Sequence, residues 1–172
     1  MGAVAMVLPW LLAAAVLVAD LYSKSWVHSH LPLMNSADYS YPYGGIAVFK
    51  SFLGVEFSIS HLANRGAAWG ALEEYQHSLV LLRILLVVAM VIYLLTSCRS
   101  TLWRWALCLV AAGALGNIID YFLYGHVVDM FHFVLWGYDF PVFNVADAAV
   151  TTGVTTLLLA STWQEWQQRE AL

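Results

Sequence analysis

The chain has 172 residues, of which 62% are hydrophobic and 10% charged, with a formal net charge of −4. A soluble globular domain carries closer to about 25% charged residues, so the composition reads as an integral membrane protein and excludes an ordinary soluble enzyme. The weak net acidity and the lack of a basic run exclude a nucleic-acid partner.

A membrane-spanning helix needs about 20 mostly apolar residues. Four stretches qualify, roughly Ala3 to Asp20, Ser78 to Leu95, Leu102 to Asp120 and Ala146 to Thr162. The first does not read as a cleaved signal peptide. No Lys or Arg precedes Lys24, and Leu17-Val18-Ala19 is a poor cleavage site, so a retained anchor is expected. Asp20 and Lys24 at its end are spaced i,i+4, which reads structurally as an interfacial ion pair capping the span.

Residues 28–76 form an extramembrane segment. Met34 to Gly45 is loop-like, and Ile46 to Phe49 and Val55 to Leu62 have strand composition. In the second of these Val55, Phe57, Ile59 and His61 alternate with the other face. Asn64 to Gly70 reads as a tight turn leading into a small helix. Arg83 lies about one turn inside the second span, where a long side chain can snorkel to the interface, and it is given no catalytic role.

On the third span Cys108, like Cys98 before it, is read as a packing residue, because two cysteines at this spacing match no disulfide framework or metal motif. Asn117 and Asp120 are spaced i,i+3 and share a face. Gly113 and Gly116 beside them let helices approach closely. Val127 to Val134 is β-branched and aromatic and predicts a further strand. Pro141 suits the start of the fourth helix, on which Asn144 and Asp147 are again spaced i,i+3. Trp103, Trp105, Trp163 and Trp166 fit interfacial belts. Arg99, Arg104 and Arg169 place both termini in the cytoplasm by the positive-inside rule, with Lys24 weighing weakly against.

With four spans, the end of the first, the end of the third and the start of the fourth share one membrane face. Asp20, Asp120 and Asp147 occupy those positions, and Asn64 and Asp129 lie in loops that open onto the same face. Carboxylates beside lipid are costly, so such a cluster is a functional-site hypothesis by default. Two adjacent carboxylates cannot both ionise at neutral pH. The ionised one can take a proton from attacking water while the protonated one assists the carbonyl and the leaving nitrogen. Plainer readings stand beside this one. Asp147 could be a helix-terminal carboxylate, Asp129 an ordinary loop acid, and Asn117 and Asn144 ties to loop backbone. His126, Asp129 and His132 are regularly spaced but fit no metal motif, and no metal site is expected. Neither a nucleophile elbow nor a phosphate-binding loop is present.

At these residues the chain resembles the lipoprotein signal peptidases (signal peptidase II), the membrane aspartic peptidases of bacteria. Asp20-Leu21-Tyr22-Ser23-Lys24 is similar to the family's D-x-x-x-K, and Asn64 to Gly70 to its N-x-G-A-A-F/W-G. Gly113 to Asp120 is similar to its G-x-x-G-N-L/I-I-D, and Gly125 to Asp129 and Phe140 to Asp147 to its two catalytic blocks. The resemblance implies a mainly α membrane fold of four transmembrane helices, with a small β-cradle and short helix at the outer membrane face, all in one domain. It implies that Asp129 and Asp147 are the catalytic dyad. Asn64, Gly66, Gly116, Asn117 and Asn144 would shape or support the site, and Asp20, Lys24 and Asp120 would stabilise it. The implied substrate is a prolipoprotein whose lipobox cysteine carries diacylglycerol, cut on the N-terminal side of that cysteine. The implied setting is the bacterial inner membrane, among its lipids, as a monomer without cofactor. One departure is Tyr121, where the family usually has an Arg that holds substrate backbone; Arg65, on the same face, is a candidate to compensate. Two other functions are weighed against this one: a small proton-coupled transporter subunit, and an inactive prolipoprotein-binding homologue.

Overall fold

Four helices set the frame: α1 (Ala3–His30), α2 (Gln76–Thr96), α3 (Thr101–Tyr124) and α4 (Val145–Glu170). All four are long and apolar enough to cross a membrane. The computed structural model describes residues 3–34, 40–65 and 75–170. The helices overrun the predicted spans, most of all at α1, which continues past Asp20 because no Gly or Pro intervenes before His30. Asp20 and Lys24 therefore lie inside the helix and are 1% and 0% exposed. The expected i,i+4 ion pair forms, at 2.7 Å, but inside the helix and not at its end.

α3 is the central helix and packs against the other three. Its buried residues, among them Ala106, Cys108, Ala111, Ala112, Gly113 and Gly116, are mostly small, and they lie on several faces of the helix. Lipid tails are as apolar as leucine, so close backbone approach is the main source of attraction between such helices. Ser100 caps α3 at its start, its side chain accepting from the Trp103 amide, and Gly125 ends it in the left-handed region at φ 75°. Arg104, counted among the loop charges in reading orientation, is buried and donates to the Cys98 carbonyl at 2.6 Å. By contrast α2 buries Val80 and Leu94 and turns Leu81, Leu82, Leu85 and Leu86 outward, as a lipid-facing helix does.

A Cβ on Gly113 would collide with the Ala146 carbonyl oxygen, which is backbone and cannot swing away. Gly113→Ala is therefore expected to cost about 1–3 kcal/mol through forced separation of α3 and α4. A detergent-solubilised variant should melt lower than a Leu115→Ala control, since Leu115 is 37% exposed.

Strands β1 (Ile46–Phe52), β2 (Val55–Asn64), β3 (Val127–Leu135) and β4 (Tyr138–Asp139) form one antiparallel sheet in the order β1-β2-β3-β4. The first three match the expected strand stretches, with longer ends; β4 is too short to leave a sequence signal. Two tight turns close its hairpins. Leu53-Gly54 and Trp136-Gly137 both have positive φ at both residues, the type I′ pattern that matches strand twist. The Trp136 indole donates to the Leu53 carbonyl at 3.0 Å and ties one turn to the other.

The burial of β2 differs from the predicted alternation. Ser58 and Ser60 are fully buried, while Val55, Phe57 and Ile59 are only partly covered. The aromatic face is served by stacking along the sheet, with Phe57 on Phe133 at 4.3 Å. The serine face shares its side with His132, which Tyr43 covers at 4.5 Å. A bulge between Ile59 and Leu62 then resets the register, which turns His61 inward. The small helix expected after Asn64 falls in 66–74, outside the described residues.

Candidate active site

The site begins with a charge. Lys24 is fully buried on α1 and reaches Asp20 at 2.7 Å, Asp120 at 2.9 Å and the Asn117 side-chain oxygen at 2.8 Å. Its three ammonium donors are thereby matched to three acceptors, the condition under which a buried cation is tolerable. Each aspartate also receives a backbone amide. Ala146 N donates to Asp20 at 2.8 Å, and Val128 N donates to Asp120 at 3.1 Å. Asp20 thus holds the first turn of α4, and Asp120 holds the start of β3. A Cβ at Gly116 would strike the Asp20 carboxylate, so that glycine makes room for the carboxylate against α3.

From Lys24 the bonding runs outward through amides. Asn117 donates to Asp147 at 2.9 Å, and Asn144 donates to Asp129 at 2.6 Å. Asn64, at the end of β2, donates to the other Asp129 oxygen at 2.9 Å. Asn144 and Asp147 also form a reciprocal capping box at the start of α4. Asp147 N donates to the Asn144 side-chain oxygen at 2.8 Å, and Asn144 N donates to Asp147 at 3.3 Å. The helix-terminal reading of Asp147 is therefore correct as geometry, and it coexists with a place in the site. Pro141 does not start the helix; it lies upstream of the Asn144 cap.

Asp129 and Asp147 line one cavity of about 620 Å³, with Asn64, Asn117, Phe143 and Arg83 among its walls. Asp129 is 1% exposed, and burial, followed by the Asp147 charge, pushes its carboxyl up to about 7 against the pull of Asn64 and Asn144. Asp147 is partly exposed and lies in the first turn of α4, where helix amides favour negative charge. One carboxyl is thus disposed to hold a proton near neutrality, and a second lines the same cavity.

Sequence reasoning brought Asp20, Lys24, Asn64, Asn117, Asp120, Asp129, Asn144 and Asp147 to one region, and the structure bonds all eight into one network. Gly116 supports it sterically, and Gly66 lies outside the described residues. Arg83, which the sequence reads as able to snorkel to the interface, lines the cavity. A charge inside so apolar a span was the signal for it. Tyr121 turns toward α2, where its hydroxyl pairs with His77. Arg65 is exposed and lies with Tyr121 in a neighbouring recess.

The spaced trio His126, Asp129 and His132 is not brought together. His132 pairs with Asp139 at 2.7 Å, while His126 joins His28 and His61. That second trio comes from separate elements and had no spacing by which to be found.

The family model described as signal peptidase (SPase) II matches residues 12–163. A lipoprotein signal peptidase of Anoxybacillus flavithermus is 38% identical over 164 residues, covering 95% of this chain and 89% of that one. Another, of Streptococcus thermophilus, is 36% identical over 152 residues, covering 88% and 89%. A bacterial membrane enzyme structure solved by the in meso method superposes with a TM-score of 0.78 at 29% identity, covering 91% of this chain and 88% of that one. A second gives 0.72 at 30% identity, covering 88% and 90%.

Proposed function

The chain belongs to the signal peptidase II family, and from that membership we propose that it is an aspartic endopeptidase acting on diacylglyceryl-modified prolipoproteins. It cuts on the N-terminal side of the lipid-bearing cysteine and releases the signal peptide. The observation that carries the mechanism is a pair of unlike carboxyls in one cavity, Asp129 held near a pKa of about 7 beside the partly exposed Asp147.

The ionised Asp147 takes a proton from a water molecule as its oxygen attacks the scissile carbonyl. Asp129 in its acid form donates to the carbonyl oxygen, and the pair then returns a proton to the departing nitrogen. The titration belongs to the two groups together. Asn64, Asn117 and Asn144 hold both carboxyls, so little reorganisation is needed during reaction. Arg83 supplies, from α2, the cation that Tyr121 does not, and its planar fork suits carbonyl oxygens of substrate backbone. The enzyme works as a monomer in the bacterial inner membrane, with both termini in the cytoplasm and the dyad near the outer face.

The test is turnover of a purified, diacylglyceryl-modified prolipoprotein by the detergent-solubilised protein across a range of pH. Asp129 must be protonated to act as acid, so kcat/KM should fall as pH rises through about 7, approaching tenfold per unit. No cleavage at any pH would assign the chain to substrate binding alone, and a rate still rising above pH 8 would reverse the roles given to the pair.

A further inference from the structure

We propose that His28, His61 and His126 form a binding site for a divalent transition-metal ion of the zinc class, on the α1 side of the sheet. The three side chains come from α1, the bulge of β2 and the turn before β3, and their nearest ring nitrogens all lie within 4.8 Å of one another. His28 follows Val27, which packs against Val128 and Met130. Asp129 lies between those two on β3, and strand alternation turns its side chain the other way. The cluster is therefore separate from the dyad, and the inference does not rest on the peptidase reading.

Hydrogen bonding decides what these rings offer. His61 is 3% exposed, and its Nδ1 lies 3.0 Å from the Leu31 carbonyl oxygen. A carbonyl only accepts, so Nδ1 carries the proton and Nε2 presents a bare lone pair. That Nε2 is buried and has no hydrogen-bond partner, and the same is true of Nε2 on His126. A buried lone pair on His61 and a buried, unpartnered ring nitrogen on His126 are costly unless a donor or a cation satisfies them. A carbonyl on the far nitrogen is also the usual way in which a metal-bound imidazole is oriented.

His28 completes the set. It is exposed on the last turns of α1, with its ring 5.3 Å from that of His61 and 6.1 Å from that of His126. Tetrahedral zinc with imidazole ligands puts the nitrogens about 3.3 Å apart. Closure therefore asks for movements of about 1.5 Å or less, which the exposed His28 can supply by rotation. Three imidazoles select zinc, copper or nickel over magnesium or calcium. A fourth position is left for water. The exposed Arg65 is near enough to be felt at His126, with its charge screened by solvent. A bound ion would clip the end of α1 to the two strands that present Asn64 and Asp129.

The experiment uses tag-free, full-length protein in detergent, stripped of metal and titrated with Co²⁺ and then Zn²⁺. One equivalent of Co²⁺ should give a visible absorption band of tetrahedral type that Zn²⁺ abolishes, and Zn²⁺ should raise the thermal midpoint. His28→Ala and His126→Ala should each weaken binding at least about 100-fold, whereas His30→Ala, on the same helix, should leave it unchanged. His28 is exposed, so its variant should remain folded even if a change at His61 does not. Absence of a band, or equal affinity in the His28→Ala and His30→Ala proteins, would overturn the site.

Discussion

Asp129→Asn and Asp147→Asn are each expected to lower turnover of lipidated prolipoprotein by at least about 10³-fold, near the upper range for loss of a positioned acid or base. The two variants should fail for different reasons. Asparagine at 129 cannot pass a proton to the substrate, although it can still accept from Asn64 or Asn144. Asparagine at 147 cannot take a proton from water, although its side-chain oxygen can preserve the link to Asn117. Folding should survive at 129. The folded-state pKa of Asp129 lies above the ordinary aspartate value of 3.8, so ionisation costs stability progressively from about pH 4 up to about 7. A neutral asparagine is free of that cost, and at pH 8 the loss of stability should be small. Circular dichroism, thermal melting and single-turnover assays on the same preparations separate chemistry from collapse. Retained cleavage by either variant would remove that aspartate from the mechanism.

Lys24→Met is expected to have the largest effect on stability, about 3–5 kcal/mol, because it leaves buried carboxylates without their cation. Asp20 and Asp120 are 1% and 0% exposed, and both face Lys24. A lone carboxylate there would be forced to protonate or to draw in water. The triple variant Asp20→Asn, Lys24→Met, Asp120→Asn should recover most of the loss. Its asparagine oxygens can still accept from Ala146 and Val128, and no uncompensated charge remains. If the triple variant melts no higher than Lys24→Met, the damage is steric and the charge account is wrong. The single variant should also move the upper pH limb of activity. Lys24 holds Asp129 down, so its removal should carry the fall in rate to higher pH.

What could be read from the sequence divides along physical lines. The spans were legible because apolar length is a local property, and the convergence of the acids followed from crossing the membrane an even or odd number of times. The three longer strands of the sheet were legible from β-branched and aromatic composition. Burial was less so. Ser58 and Ser60 are fully buried on the face they share with His132, which no alternation of hydrophobicity reports. Arg83 reads from the sequence as a snorkelling residue; that it also lines a cavity depends on how α2 docks, which no local pattern reports. Lys24 looked like a partner for Asp20 alone. Its second partner, Asp120, lies on another helix, and pairings of that kind depend on how helices dock.

The way α1 overruns Asp20 fixes where Asp129 and Asp147 sit relative to the sheet. At 1.5 Å per residue, α1 rises about 15 Å from Asp20 to His30, about 9 Å of it beyond Lys24. The same segment carries Val27, against which the sheet packs. Helix, sheet and dyad are thus joined through Lys24, Asp20 and the first turn of α4 into one rigid frame. On the proposed peptidase reading, the plane of cleavage would follow that frame and not the surrounding lipid. A thicker or thinner bilayer can tilt the protein or deform around it, but the position of Asp129 and Asp147 relative to α1, α4 and the sheet is held by these bonds.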